Sequence, residues 1–112
     1  MRKKIVAIDF DGTIVEDSWP GIGKLRPKAK EVIQKIFKKY DTVLWTCRMG
    51  KDLEDALEFL KENEIYFHAV NENVQSIKTD FNPRPKIYFD YIIDDKNIGG
   101  IMEWSEVEKI LL

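Results

Sequence analysis

Acidic side chains come directly after two short apolar segments of the sequence. Asp9 and Asp11 follow the segment Ile5–Ile8, and Asp94 and Asp95 follow a second segment much later in the chain. Carboxylates held close together repel one another unless a cation lies among them. A set of oxygen ligands without a histidine or cysteine cluster favours Mg²⁺ over Zn²⁺. These residues therefore predict a magnesium ion held by carboxylates, and the chemistry they indicate is phosphoryl transfer.

Three side chains could carry out the steps of such a transfer. Asp9 could attack phosphorus through its carboxylate and form an aspartyl-phosphate. Asp11, two residues further on, could protonate the leaving oxygen and later deprotonate the hydrolytic water. Thr46 follows another apolar segment, and its hydroxyl could hydrogen-bond a phosphoryl oxygen. A lysine would neutralise the charge that develops in the transition state.

Neighbours of these residues could contact the substrate. They are Gly12, Thr13, Cys47, Arg48 and Asn71. Arg48 could select the leaving group of the substrate, and an ion pair at the surface is an equally good interpretation. Trp19 could stack on a substrate or pack against a partner subunit, whereas Trp45 is predicted to be a core residue.

The apolar pattern predicts the strands that position these residues. Continuous apolar runs predict strands at 5–8, 42–45 and 91–93, and a weaker run predicts one at 66–70. Because the three strong runs do not alternate polar and apolar residues, each is expected to be buried on both faces, as in a parallel sheet covered by helices. Ligands bind at the carboxyl ends of the strands in such sheets. The acidic motifs and Thr46 are thus expected to converge there.

Helices are predicted between and after the strands. Apolar residues recur at spacings of three and four over 27–40, with Pro27 in the first turn. A second apolar stripe covers 52–63, and Ser105 with Glu108 forms a capping box that predicts the start of a third helix. The sequence therefore predicts a three-layer α/β fold, a Rossmann-like open parallel sheet with helices on both faces.

Three motifs occur along the chain in a fixed order. Asp-Phe-Asp-Gly-Thr occupies 9–13, Thr46 follows Val-Leu-Trp, and Tyr-Ile-Ile-Asp-Asp occupies 91–95. They resemble the first, second and fourth motifs of the haloacid dehalogenase (HAD) superfamily, and the resemblance spans positions 5 to 95. It implies a Rossmann-like domain that depends on Mg²⁺ and usually acts as a phosphatase.

The resemblance also implies roles for the acidic residues. In that superfamily the first aspartate of the first motif is the nucleophile and the second is the general acid/base, which here implies Asp9 and Asp11. The metal is held by the first side chain, by the backbone carbonyl of the second residue and by an acid of the fourth motif. That acid would be Asp94 or Asp95.

The third motif of the superfamily is a lysine. Lys86, eight residues before Asp94, is the candidate here, and Lys78 is the alternative. Superfamily members often carry cap domains, but positions 14–23 leave room only for a β-hairpin-like flap, and positions 71–85 only for a loop. The chain therefore resembles the small capless subgroup that has the signatures Thr-Cys-Arg and Ile-Asp-Asp-Lys-Asn-x-Gly-Gly.

Length and composition limit the protein classes that fit. The 112 residues suffice for a single domain, 1–112, and 44% hydrophobic with 34% charged residues is typical of a globular chain rather than a disordered one. A net charge of −2 argues against a general nucleic-acid or anionic-membrane binder. The single cysteine fits a reducing compartment, and the apolar run after the N-terminus is shorter than a secretory or membrane segment. A cytoplasmic location is therefore predicted.

The combined prediction is a Mg²⁺-dependent phosphomonoester hydrolase that acts through an aspartyl-phosphate on Asp9. Its substrate would be a phosphorylated small molecule or an exposed phosphate on a larger one, such as a nucleic-acid end, and a homo-oligomer could roof the site. Two other hypotheses stay open: a phospho-receiver module and a non-catalytic regulatory phosphate-binding protein. A receiver does not need an acid/base such as Asp11.

Overall fold

The computed structural model describes residues 2–75 and 87–112 of the chain. Its strands are β1 (Ile5–Ile8), β2 (Asp41–Leu44), β3 (Ala69–Val70) and β4 (Tyr91–Ile93). Its described helices are α1 (Ala29–Lys39), α2 (Gly50–Glu62) and α3 (Trp104–Leu111). The strands form one all-parallel sheet in the order β3-β2-β1-β4, a small Rossmann-like α/β arrangement. Among the described residues, no helix is long and apolar enough to cross a membrane.

The first strand, β1, lies at the centre of the sheet. It pairs in parallel with β2 on one side and with β4 on the other, and all of its side chains are fully buried. Burying a valine or isoleucine side chain stabilises the fold by about 1.5–3 kcal/mol. The continuous apolar run therefore forms a strand that is covered on both faces, as predicted.

The main core lies on one face of the sheet. Val6 and Ile8 of β1 contact it from the sheet side. All three described helices contribute buried residues, namely Ala29, Val32, Ile33 and Ile36 from α1, Ala56 and Leu60 from α2, and Trp104, Val107 and Leu111 from α3. On the other face, Val74 and Phe89 pack against a smaller cluster. Within residues 2–75 and 87–112, the predicted helical cover is thus present on one face, with loop residues on the other.

Two predicted helix starts are wrong. The helix α3 begins at Trp104, one residue before Ser105, and no side chain of the described residues caps it. The indole of Trp104 is 1% exposed, so burial of this side chain, rather than a capping box, fixes where α3 begins.

The helix α1 begins at Ala29 after Lys28, whose φ of 66° is left-handed. Pro27 therefore precedes the first turn of α1.

The flap, residues 14–23, has the hairpin-like form expected from the sequence. Val15 bridges Leu25 in the antiparallel sense, and the backbone N–H of Glu16 donates to the carbonyl of Lys24 at 2.8 Å. Ile14 and Val15 at its base are fully buried. The base of the flap is thus part of the core, and its tip extends from the carboxyl edge of the sheet.

Candidate functional site

Three carboxylates meet at the carboxyl edge of the sheet. Asp9 follows β1, and Asp94 and Asp95 follow β4. The parallel register continues past the strand ends, because the backbone N–H of Asp9 donates to the carbonyl of Ile93 at 2.9 Å. One carboxylate oxygen from each aspartate lies within 4.8 Å of the other two. Strand pairing therefore brings together acids that are 85 positions apart in sequence.

The environment of Asp9 disfavours its ionised form in the absence of a cation. The pKa of Asp9 is raised from 3.8 to about 7, chiefly by burial and then by the negative charge of Asp94, with a smaller contribution from Asp95. The hydroxyl of Thr13 opposes this shift by donating to Asp9 Oδ2 at 3.0 Å. A divalent cation among the three carboxylates would relieve their repulsion, and an all-oxygen donor set suits a hard ion such as Mg²⁺.

A tight turn after Asp9 lets the acids approach. Gly12 has a φ of +79°, and a Cβ at this position would lie 2.3 Å from Asp95 Oδ2. A side chain at Gly12 would therefore displace one of the acids as well as strain the backbone. Thr13, the next residue, is fully buried. Gly12 and Thr13, which the sequence predicts as substrate contacts, therefore contribute to the site by leaving room for Asp95 and by orienting Asp9.

Asp11 is held by a buried arginine. Arg48 is 2% exposed, and it donates from Nε to Asp11 Oδ2 and from Nη2 to Asp11 Oδ1, both at 2.8 Å. Its guanidinium also donates to the carbonyls of Gly21 at 2.7 Å and of Pro20 and Asp52 at 3.3 Å. The sequence allowed either a leaving-group contact or a surface ion pair for Arg48. The structure places it in an ion pair, but a buried one.

The same guanidinium lies over two aromatic rings. It is 5.2 Å from the ring centroid of Phe10 and 4.9 Å from that of Trp19. Phe10 is fully buried, whereas Trp19 is 54% exposed at the tip of the flap. Arg48 therefore connects the core, the flap and Asp11.

The loop after β2 supplies the next set of residues. The backbone N–H of Thr46 donates to Asn71 Oδ1 at 2.8 Å, and the Thr46 hydroxyl accepts from the N–H of Arg48 at 3.1 Å. Asn71 thus fixes the end of β2 against the loop after β3. Cys47 is exposed, with a free thiol. Thr46 and Cys47 face the same open space as the carboxylates.

That space is a cavity of about 480 Å³, termed the site cavity below. Its lining is Asp9, Asp11, Asp17, Trp19, Trp45, Thr46, Cys47, Arg48, Asp94, Asp95 and Lys96. The prediction that Trp45 belongs to the core is wrong, because its side chain is 36% exposed in this cavity. Asp17 and Lys96 also line the cavity, although the sequence did not predict them as site residues. The position of Lys96 directly after the acid pair was the available signal.

The predicted lysine of the third motif cannot be compared with this geometry. Lys86 and its alternative Lys78 both lie outside the described residues. Among the residues that the structure does describe at the site cavity, the cations are Arg48 and Lys96. Of these, Arg48 is paired with Asp11.

The fold and this geometry define a class: a small Rossmann-like α/β protein with an acidic site at the carboxyl edge of its parallel sheet. A structure of a conserved protein from Bacteroides thetaiotaomicron is similar over 97% of this chain and 89% of its own length, with 34% sequence identity and a TM-score of 0.85. The chain belongs to the same family as that conserved bacterial protein.

A more distant structure shares the fold. A chain of the Pnkp1/Rnl/Hen1 RNA repair complex matches 86% of this chain and 37% of its own length, with 18% identity and a TM-score of 0.60. No protein-family model matches the sequence, and a search of curated proteins gives no match.

Proposed function

We propose that this protein is a Mg²⁺-dependent phosphomonoester hydrolase of the HAD type that works through an aspartyl-phosphate on Asp9. The observation that carries the proposal is the meeting of three carboxylates within 4.8 Å beside Thr46 and Asp11. Uncompensated carboxylates in one site are costly. A site that gathers them at the mouth of a cavity is suited to a cation and an anionic substrate.

The residues at the site fit a magnesium ion. Asp9, Asp94 and Asp95 offer carboxylate oxygens, with no histidine or thiol in that cluster, as a hard cation requires. When bound, Mg²⁺ would reduce the repulsion between these carboxylates and the phosphate of the substrate. The backbone carbonyl of Asp11 is the further ligand that the motif resemblance implies.

The first step assigned to the chain is attack by Asp9. A carboxylate oxygen of Asp9 forms a bond to phosphorus, and the bond between phosphorus and the leaving oxygen breaks. The leaving alkoxide takes a proton from Asp11 and departs as an alcohol. Thr13 orients the Asp9 carboxylate through its hydrogen bond to Oδ2. Thr46 lines the cavity, and the proposal assigns to its hydroxyl a hydrogen bond to a phosphoryl oxygen.

The second step releases phosphate. Water attacks phosphorus, Asp11 takes the proton, and the acyl-phosphate bond to Asp9 breaks, which regenerates the free carboxylate. Arg48 binds one lone pair on each oxygen of Asp11. Each carboxylate oxygen retains a second lone pair, and the side chain is 20% exposed. The carboxylate of Asp11 therefore keeps acceptor positions that Arg48 does not occupy, and the proposed proton transfers would take place there.

The decisive experiment replaces the nucleophile. With p-nitrophenyl phosphate and Mg²⁺, Asp9→Asn is expected to lower kcat by at least about 10³-fold while the circular dichroism spectrum stays that of the wild type. Asp55→Asn on α2, outside the site cavity, is the matched control and should keep full activity. Chelation with EDTA should stop the wild-type reaction, and beryllofluoride should bind in competition with phosphate.

Two results separate the hydrolase from the phospho-receiver hypothesis. Full activity in Asp9→Asn would refute the mechanism. A phospho-Asp9 that persists for hours in the wild type, measured after acetyl phosphate treatment, would indicate a phospho-receiver instead. The proposed hydrolase requires that this species decay within seconds, because Asp11 activates the water.

A further inference from the structure

Two tryptophans are exposed in the site cavity. Trp19 on the flap is 54% exposed and Trp45 after β2 is 36% exposed, and both line the cavity that contains Asp9 and Asp94. Leaving a large aromatic side chain in water forgoes the free energy of its burial. Apolar rings that line a cavity are a common feature of ligand sites. Because they share a cavity with the carboxylates, we expect them to contact the organic group to which the phosphate of the ligand is attached.

Trp19 is supported on one face only. The guanidinium of Arg48 lies 4.9 Å from its ring centroid and is itself fixed by Asp11 and the carbonyls of Pro20 and Gly21. Because Arg48 is buried and Trp19 is more than half exposed, the indole has one face against the guanidinium and is open to the cavity elsewhere. An aromatic ring held in this way loses little conformational entropy when a second flat ring stacks on it.

The cavity is large enough for more than a phosphate group. Its volume of about 480 Å³ lies within the range of about 300–1,000 Å³ that accommodates whole small molecules. Its lining contains both the carboxylates and the two tryptophans. A ligand that fills the space is therefore expected to combine a phosphate with a flat, weakly polar group.

We infer that Trp19 and Trp45 form a stacking subsite for a nucleobase, so that the substrate of this enzyme is a mononucleotide. The inference rests on the proposed phosphatase function and adds the substrate class to it. A nucleobase has two π-faces and stacks on tryptophan in a sequence-tolerant way. The phosphate of a mononucleotide would then reach Asp9 while its base contacts the tryptophans.

The charge of the cavity favours a mononucleotide over the end of a strand. The described lining contains five aspartates and two cations, of which Arg48 is paired with Asp11. Proteins that track a polynucleotide backbone use a positively charged groove. One phosphate could be accommodated at the proposed metal site, but the further phosphates of a strand would meet a cavity lining in which aspartates outnumber cations.

The test compares phosphate esters with and without a nucleobase, together with two competing substrate classes. Values of kcat/KM are measured for nucleoside 5′-monophosphates, ribose 5-phosphate, phosphotyrosine and a 5′-phosphorylated oligonucleotide. The mononucleotides are expected to exceed ribose 5-phosphate by at least about fivefold, the lower end of what one stacked base contributes. Affinity of Asp9→Asn for a mononucleotide, measured by titration calorimetry, gives a readout that does not depend on turnover.

Variants of the two tryptophans test whether the stacking subsite causes the preference for mononucleotides over ribose 5-phosphate. Trp19→Leu and Trp45→Leu should each lower the ratio of kcat/KM for mononucleotide over ribose 5-phosphate by about 5- to 100-fold, down to a ratio near one. Trp19→Phe keeps a ring and should retain most of the ratio. Tyr66→Leu is the matched control, because Tyr66 is an aromatic residue 52% exposed outside this cavity, and it should leave the ratio unchanged.

The outcomes separate the inference from the function on which it rests. Equal hydrolysis of mononucleotide and ribose 5-phosphate, unaffected by the tryptophan variants, would overturn the subsite and leave the phosphatase standing. Hydrolysis of p-nitrophenyl phosphate but of none of the four ligands would overturn the substrate class alone, whereas hydrolysis of none of the five would overturn the phosphatase and the inference with it. Faster hydrolysis of phosphotyrosine or of the oligonucleotide than of any mononucleotide would overturn the assignment of substrate class.

Discussion

At the scale of single residues, the Arg48–Asp11 pair determines how the site is organised. The pair has two hydrogen bonds of 2.8 Å in the forked geometry that only arginine offers. Desolvating Arg48 is costly, and the bonds to Asp11 and to backbone carbonyls compensate for that cost. The described donors of the guanidinium are thus engaged by Asp11 and by backbone carbonyls. We therefore expect Arg48 to position Asp11 rather than to bind the phosphate.

A double-mutant cycle tests this positioning role. Arg48→Met should lower kcat by about 10- to 100-fold with little change in KM, because it leaves Asp11 free to rotate away from the leaving oxygen. In the Asp11→Asn background the same change should have almost no effect on kcat. Arg48→Lys keeps the charge but not the fork, and it should recover only part of the activity. Steady-state kinetics with p-nitrophenyl phosphate measures all four corners of the cycle.

The double-mutant cycle can also contradict the proposal that Arg48 positions Asp11. A purely structural function for Arg48 predicts that Arg48→Met and Asp11→Asn reduce kcat additively, since the two changes would act independently. A coupling energy of at least about 1 kcal/mol is expected for residues in direct contact. Thermal unfolding of each variant shows whether the protein is folded at the assay temperature.

Some of these residues could be found in the sequence and others could not. Asp9, Asp94 and Asp95 were predictable because they end strands that share one edge of the sheet. The partner of Arg48 was not, because Asp11 lies 37 positions away and the pairing depends on how the flap packs. Trp45 was misplaced because it extends a buried apolar run by one residue beyond Leu44, and an apolar pattern does not show where burial stops.

At the scale of elements, the loop between β1 and the flap is held in place by α3. The carbonyl of Thr13 accepts a hydrogen bond from Trp104 Nε1 at 2.9 Å and one from Arg26 Nη1 at 3.1 Å. Trp104 is almost fully buried in the main core. The position of Asp9 and Asp11 relative to the sheet thus depends on a helix near the carboxyl end of the chain.

Replacing this indole should weaken the fold. Trp104→Phe removes the donor to Thr13 and leaves a small void, so the free energy of unfolding should fall by about 1–3 kcal/mol. For a domain of this size that lowers Tm by roughly 4 °C or more per kcal/mol. Trp45→Phe, the same change at a partly exposed position, should stay within about 0.5 kcal/mol of the wild type. Calorimetry that shows equal Tm values for the two variants would contradict the role of Trp104.

The elements themselves were mostly predictable, and their ends less so. Each of the four strands overlaps a predicted apolar run, because burial on two faces leaves a continuous apolar signature. The first turn of α3 was missed because Ser105 and Glu108 fit a local capping pattern, whereas the observed start depends on a tertiary contact of Trp104. Local patterns carry no information about such a contact.

At the scale of the whole molecule, the acidic site is expected to link stability to pH and, if it binds Mg²⁺ as proposed, to metal. The pKa of Asp9 is about 7 in the folded protein and 3.8 in the reference state. Between these values the folded state holds a proton that the unfolded state has released. Stability therefore falls as pH rises through this window. The loss amounts to a few kcal/mol at most, because Asp9 is partly exposed and solvent screens part of the effect.

Metal should reverse this loss, and more strongly at higher pH. The metal-free protein is expected to become less stable as pH rises from about 4 to about 7. A fixed Mg²⁺ concentration, ten times its Kd at pH 7.5, should restore about 1.4 kcal/mol at that pH. At pH 5 the ion must first displace the proton on Asp9, so the increase in Tm should be smaller there than at pH 7.5. Asp9→Asn should make the stability of the metal-free protein less dependent on pH, since its amide does not titrate.

Thermal unfolding of the wild type and of Asp9→Asn across pH, with and without Mg²⁺, measures the effect of pH and the effect of the ion on Tm. A Tm increase that is as large at pH 5 as at pH 7.5 would mean that the ion binds without Asp9. The acidic cluster would then not be the metal site on which the proposed reaction depends.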